Sequence, residues 1–84
     1  MLSKNIETAL NKQIRIEAES SQTYLSMACW AEANGLEGIS QFMYTQSDEE
    51  RAHMLKLVKY VNERAGHAQI TDLEAPKTSY TTFK

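Results

Sequence analysis

Apolar side chains recur at helical spacing in two long stretches of this chain, divided by a short glycine-containing break. Counting ~100° per residue, one stripe of the first stretch collects Ile6, Leu10, Ile14, Glu17, Ser21, Tyr24, Ala28 and Ala31. Residues 4–34 contain no Gly or Pro and are rich in Ala, Leu, Glu, Lys and Gln, which lose little freedom in a helix. Ser3 suits the N-cap and Asn34-Gly35 the stop, since glycine takes the left-handed conformation that ends helices. The pattern predicts a helix over about 4–34. Ile16, Met27 and Trp30 form a second apolar patch to one side. The stretch from Tyr24 to Ala31 is therefore apolar around most of its circumference and is expected to be covered on more than one side.

Gly35-Leu36-Glu37-Gly38 reads as a connector short enough to make antiparallel neighbours. The second helix is predicted over about 38–65, stopped by Gly66, with an inward stripe of Ile39, Met43, Gln46, Glu50, His53, Met54, Leu57 and Val61. Phe42 and Tyr60 edge this stripe, while Tyr44 and Leu55 point nearly the other way. Residues 67–84 hold no sustained period, and Pro76 with the surrounding Ser and Thr suits an extended connection. The expected fold is all-α: an antiparallel two-helix hairpin over residues 1–66, followed by a long crossover-type segment over 67–84.

Three polar side chains interrupt the apolar stripes, and they change the picture. Glu50 and His53 form a Glu-x-x-His pair on one helix face, in phase with the seam. Glu17 lies near the centre of the first stripe, where the adjacent turns offer Gln13, Ile14, Ser21 and Tyr24 but no cation. Glu17 lies ~25 Å back along its helix from the break, and Glu50 and His53 lie ~18–22 Å beyond it, at 1.5 Å per residue. In an antiparallel hairpin the three converge on one level. An unpaired buried charge costs several kcal/mol, so the set needs a partner. An ion pair between Glu50 and His53 is one answer and a metal ion is the other. One imidazole with several carboxylates suits iron or manganese, with zinc also accommodated. Di-iron carboxylate bundles take a Glu from each of two helices and a Glu-x-x-His from each of the other two. By that count this chain carries half a site.

Composition narrows the alternatives. The chain has 84 residues, one cysteine (Cys29) and a net charge of −2 with both signs dispersed. So small a domain needs metal, self-association or further chain to stabilise its core, because a single cysteine cannot form an internal disulfide. There is no basic stripe for nucleic acid, no apolar run of the ~18 residues a membrane span needs, and no apolar signal core at the N-terminus. A cytoplasmic protein is expected. Met27, Met43 and Met54 read as core filler, His67 as a solvated loop residue, and Cys29 and Trp30 as buried or interface residues.

Over its whole length the chain resembles the bacterial non-haem ferritins, as their first two helices and crossover loop. The resemblance rests on Glu17, on Tyr24 seven residues later, on Gln46 through His53, and on Ala75-Pro76 in the crossover. It implies one half of a ferritin-like four-helix bundle that binds Fe(II) at a di-iron ferroxidase centre. It implies Glu17 and His53 as ligands of the first iron, Glu50 as the bridge, and Tyr24 as an outer hydrogen-bond partner. Glu49 would belong to an accessory third iron site. The implied chemistry is Fe(II) oxidation by dioxygen or peroxide, with Fe(III) mineral stored in a 24-subunit shell. Haem-binding relatives carry Met directly after the bridging Glu, where this chain has Arg51, so haem is not expected. The remaining ligands of the second iron are not in this sequence. They would come from a complementary C-terminal half, or from a second copy if two short hairpins dimerise. An inactive helical fragment or interaction module is the third alternative.

Overall fold

The computed structural model describes residues 1–80. Its regular elements are α1 (Lys4–Ala33) and α2 (Glu37–Glu63), packed antiparallel against each other, with no strand among the described residues. Among the described residues no helix is long and apolar enough to cross a membrane.

The Ser3 hydroxyl accepts from the Ile6 amide and caps α1. At the other end Gly35 adopts φ +75°, and the Leu36 amide turns back onto the Ala31 carbonyl at 2.8 Å. This six-to-one bond is the Schellman closure. The Leu36 carbonyl in turn accepts from Ser40 at 2.9 Å, so one residue closes α1 and opens α2. At this end the Tyr44 hydroxyl donates to Glu32 Oε1 at 2.7 Å, tying α2 to α1. That hydrogen bond is the main reason the phenol pKa rises to about 12.

The end of α2 departs from expectation in an informative way. The helix stops at Glu63, and Ala65, not Gly66, takes the left-handed conformation at φ 66°. The Gly66 amide closes the same Schellman ring, donating to the Val61 carbonyl at 2.9 Å. Glycine is needed there for space: a Cβ would stand 2.9 Å from Val61 Cγ1 and 3.1 Å from the Val61 carbonyl oxygen.

On α1 the line of closest contact follows the stripe drawn on the sequence, whereas on α2 it runs through Ser40 and Ser47, which the α2 stripe omitted. The fully packed positions are Ile14, Ala28 and Ala31 on α1, and Ser40, Ser47 and Val61 on α2. At mid-length the Ser21 hydroxyl donates to the Ser47 carbonyl and the Ser47 hydroxyl to the Ser21 carbonyl, each at 2.8 Å, with the two hydroxyls 3.0 Å apart. Small side chains let the backbones approach, and the hydroxyls satisfy one another where water is excluded. The seam thus runs through Ser21 and Ser47, and Glu17, Glu50 and His53 lie along one flank of it.

The opposite flank is covered by the segment after α2. Asn11 holds it like a strand neighbour, donating from Nδ2 to the His67 carbonyl (3.0 Å) and accepting from the Gln69 amide (2.8 Å). Glu7 accepts the His67 amide and Asn62 the Ala68 amide. Further on, Ser26 donates to the Lys77 carbonyl, and Tyr80 packs edge-on against Trp30 at 6.1 Å between ring centres. The segment therefore returns alongside α1 from Glu7 to Trp30, meeting Met27 and Trp30 of the second apolar patch and leaving Ile16 exposed. Between it and the helices lies an apolar cleft of about 380 Å³, floored by Ile14, Ala18, Met54 and Leu55 and roofed by Ile70 and Leu73. Residues 81–84 of the expected crossover lie outside the described residues. Of the two readings for Cys29, buried or interface, the first does not hold: it is exposed, because the returning chain passes over Ser26 and Trp30 instead.

Candidate metal centre

Two helix periods and one hairpin bring the candidate ligands together. Glu17 sits four residues before Ser21, and Glu50 and His53 sit three and six residues after Ser47. The serine clasp therefore fixes the level at which the two helices present them. One donor atom from each of Glu17, Glu50 and His53 lies within 4.8 Å of the others. His53 Nδ1 stands 3.4 Å from Glu50 Oε1 and 3.7 Å from Glu17 Oε1. These separations exceed the 2.7–3.2 Å of a good N–H···O bond. They are close to the ~3–3.5 Å between neighbouring donors that share a cation at bond lengths of ~2.0–2.2 Å.

The electrostatics point the same way. Two carboxylates face one imidazole, so even a protonated His53 leaves the group one negative charge in excess. Among the described residues the remaining ion pair joins Arg15 to Glu19, and neither Lys nor Arg reaches the trio. Burial pushes the Glu17 carboxyl above its ordinary value, the Glu50 carboxyl beside it adds to the rise, and His53 and Gln13 offset part of it. The Glu17 and Glu50 side chains are 16% and 22% exposed, whereas His53 is 53% exposed. The trio is walled by the hairpin on one side and open on the other. Its oxygen and nitrogen donors fit iron, manganese or zinc.

The other candidates stand apart. Tyr24 shares the Glu17 face of α1 and is half-buried, but its hydroxyl makes no hydrogen bond among the described residues. Glu49 is exposed and its carboxylate does not join the cluster. His67 is exposed too, and is held through its backbone rather than its ring. The sequence reading missed the serine clasp. Its signal was the seven-residue recurrence of Ser40, Ser47, Met54 and Val61, a coiled-coil-like spacing hidden because serine was scored as polar.

The fold has close counterparts among known proteins. The sequence model of the ferritin-like domain family matches residues 7–84. A probable bacterial non-heme ferritin-like protein of Haemophilus influenzae is 40% identical over the whole chain, which covers 51% of that protein. A bacterial non-heme ferritin of Staphylococcus saprophyticus is 38% identical over 99% of the chain and 50% of its own length. Among solved structures, the Chlorobium tepidum ferritin superposes with a TM-score of 0.91 at 36% identity, over 98% of this chain and 50% of that one. An open-pore ferritin of the archaeon Archaeoglobus fulgidus gives 0.91 at 35% identity, over 98% and 51%. The chain thus spans about half the length of the curated relatives it matches. It belongs to the ferritin-like family.

Proposed function

We propose that this chain serves iron storage and detoxification as the N-terminal half of a ferritin-type subunit, in the cytoplasm, within a multi-subunit shell of the 24-subunit kind. The observation that carries the reading is the convergence of Glu17, Glu50 and His53, with no Lys or Arg among the described residues paired to them. The names of the matched relatives, non-heme ferritins, support it.

In this reading Fe(II) is the substrate. Glu17 and His53 hold one ion, and Glu50, on the same face of α2 as His53, bridges to a second whose other ligands come from the rest of the bundle. Tyr24, on the same face, orients the carboxylates once iron draws them in. Glu49, exposed beside Glu50, receives an ion passing to or from the pair. Two Fe(II) each give up one electron, reducing dioxygen with two protons to hydrogen peroxide, or peroxide with two protons to water. The Fe(III) then passes to the mineral. Haem plays no part in this scheme.

Anaerobic calorimetric titration of the 84-residue chain with Fe(II) tests the first step. Binding that is lost in Glu50→Ala and His53→Ala and kept in His67→Ala is expected. Binding indifferent to Glu50 and His53 would overturn the assignment.

A further inference from the structure

The turn between the helices holds a chemistry that the metal site does not use. Asn34 is followed by Gly35, both are exposed, and nothing beyond the adjoining residues lies within 4 Å of where a Gly35 Cβ would stand. Asparagine side-chain amides are thermolabile, and their usual fate is attack by the backbone nitrogen of the next residue. Glycine offers that nitrogen with no side chain to obstruct it. The fold stands in the way. Asn34 has ψ 14°, which turns the Gly35 nitrogen away from the Asn34 side chain. Asn34 Nδ2 is tied to the Trp30 carbonyl at 2.8 Å, and the Gly35 amide donates to the Glu32 carbonyl at 3.2 Å. Both reacting groups are thus occupied while the α1 cap is closed. That cap is the end of a helix, where local opening costs least. By contrast Asn5, Asn11 and Asn62 lie inside the helices and precede Ile6, Lys12 and Glu63, whose side chains obstruct the attacking nitrogen.

We propose that Asn34–Gly35 is a site of spontaneous deamidation, gated by opening of the α1 cap, and that the modification loosens the turn. The Gly35 nitrogen bonds to Asn34 Cγ, the Cγ–Nδ2 bond breaks, and the Gly35 amide proton leaves with Nδ2 as ammonia. Water then opens the resulting five-membered imide at either carbonyl. Opening at Cγ leaves an aspartate on the ordinary backbone. Opening at the main-chain carbonyl leaves isoaspartate, whose backbone runs through Cβ and Cγ and is one atom longer. Either product sets a new carboxylate at the C-terminal end of α1, where the helix dipole is negative and the last turn holds no basic residue. Glu32 is already there, accepting from Tyr44 across the turn. The Trp30 carbonyl also loses one of its two donors. Isoaspartate does more, because its longer backbone displaces Leu36. That residue's amide closes α1 on Ala31, and its carbonyl opens α2 at Ser40. All the groups concerned lie between Trp30 and Tyr44, so the inference is independent of the metal-site reading.

Ageing the full 84-residue chain in mildly alkaline buffer, folded and in guanidinium chloride, tests it by tryptic mapping and mass spectrometry. Asn34 is the only asparagine in the 16–51 peptide, and fragment spectra separate it from the glutamines there. Isoaspartate is scored by enzymatic methyl-ester labelling. Acid and isoaspartate are expected at Asn34 ahead of Asn5, Asn11 and Asn62, and about tenfold or more faster in the unfolded chain than in the folded one. The aged chain and Asn34→Asp should both melt below the parent by circular dichroism. Asn34→Gln, whose ring closure is six-membered and slow, should keep its 16–51 peptide unmodified. An Asn34 that stays intact even in the unfolded chain, or modification of that peptide in Asn34→Gln, would overturn the site. Equal rates in the folded and unfolded chains would overturn the gating. An aged chain as stable as the parent would overturn the loosening of the turn.

Discussion

Replacing Ser47 by leucine distinguishes the observed seam from the one the sequence stripes imply. A stripe centred on Gln46, Glu50 and His53 puts position 47 at its margin, where leucine would extend the apolar surface and add stability. In the structure Ser47 is 6% exposed, and its hydroxyl lies 2.8 Å from the Ser21 carbonyl and 3.0 Å from the Ser21 hydroxyl. No room exists for three further carbons. Overpacking of this kind costs about 1–3 kcal/mol. Loss of the clasp adds about 0.5–1.5 kcal/mol, the usual net worth of a hydrogen bond. Ser47→Leu should therefore destabilise the hairpin by roughly 2–4 kcal/mol. Ser47→Ala loses the hydroxyl contacts but regains some helix propensity, leaving a net cost of about 1 kcal/mol or less.

The same pair of variants reads the metal site. Leucine must push the helix axes apart at the level where Glu17 faces Glu50 and His53, whereas alanine need not move them. Urea unfolding followed by circular dichroism gives the stabilities, and calorimetric titration with Zn(II) gives the affinities. Expected is a large stability loss with weakened zinc binding for leucine, and small changes in both for alanine. A Ser47→Leu chain as stable as the parent, or one that binds zinc equally well, would refute the claim that the serine clasp sets the site.

Other consequences concern the ends of the hairpin and the charge at its middle. Asn11→Ala removes both hydrogen bonds to residues 67 and 69, so limited proteolysis should cleave that segment faster while the helical signal stays nearly unchanged. Gly66→Ala should cost about 1–3 kcal/mol in urea unfolding, because its Cβ meets the fully buried Val61. Ala65→Gly relieves a left-handed backbone, and should change stability by about 1 kcal/mol or less, in the favourable direction once the added unfolded-state freedom is subtracted. The raised Glu17 pKa makes the folded metal-free chain bind more protons than the unfolded one between the ordinary glutamate value of 4.5 and the raised one. Stability must then fall as pH rises through that window and stay reduced above it. In EDTA, Glu17→Gln should be more stable than the parent at neutral pH and lose that advantage in acid, as paired urea titrations would reveal.

The convergence of Glu17, Glu50 and His53 was legible in sequence because it depends on rise per residue alone. Two helices of known pitch joined by a short connector leave little freedom in level. Rotation about the helix axes was not legible to the same precision. An apolar stripe more than 100° wide averages over the narrow line where backbones touch; the α1 stripe already held Ser21 and Ala28, but on α2 that line is made of Ser40 and Ser47, which a hydrophobicity count ranks low. The α2 stop was legible from Gly66, but its mechanism was not. Whether glycine serves conformation or close approach depends on what lies beside it: Val61 belongs to the same Schellman ring, but Leu2 comes from the start of the chain, where no local rule reaches.

That rotational difference bears on what the site is. Helices packed through small side chains lie at the near end of the usual 8–10 Å between axes, and such a seam leaves no volume for two carboxylates, an imidazole and an ion. Metal in a helical protein belongs where helices are farthest apart, at the centre of a four-helix square. Donors on the seam line itself would have argued for a self-sufficient hairpin held by an ion pair. Donors beside the seam, with His53 more than half exposed and a negative charge left over, argue for a site whose centre lies outside these two helices. Glu50 is the residue that tests this most directly, since a bridging carboxylate needs ions on two sides while an ion-pair partner needs only His53. Glu50→Gln preserves shape and a polar neighbour for His53 but weakens any bridge. It should therefore leave metal-free stability nearly unchanged while lowering zinc affinity at least about tenfold, the range seen when charge-bearing contacts worth over 1.4 kcal/mol are lost. The reverse pattern, with stability lost and zinc affinity kept, would return Glu50 and His53 to the role of an ordinary ion pair.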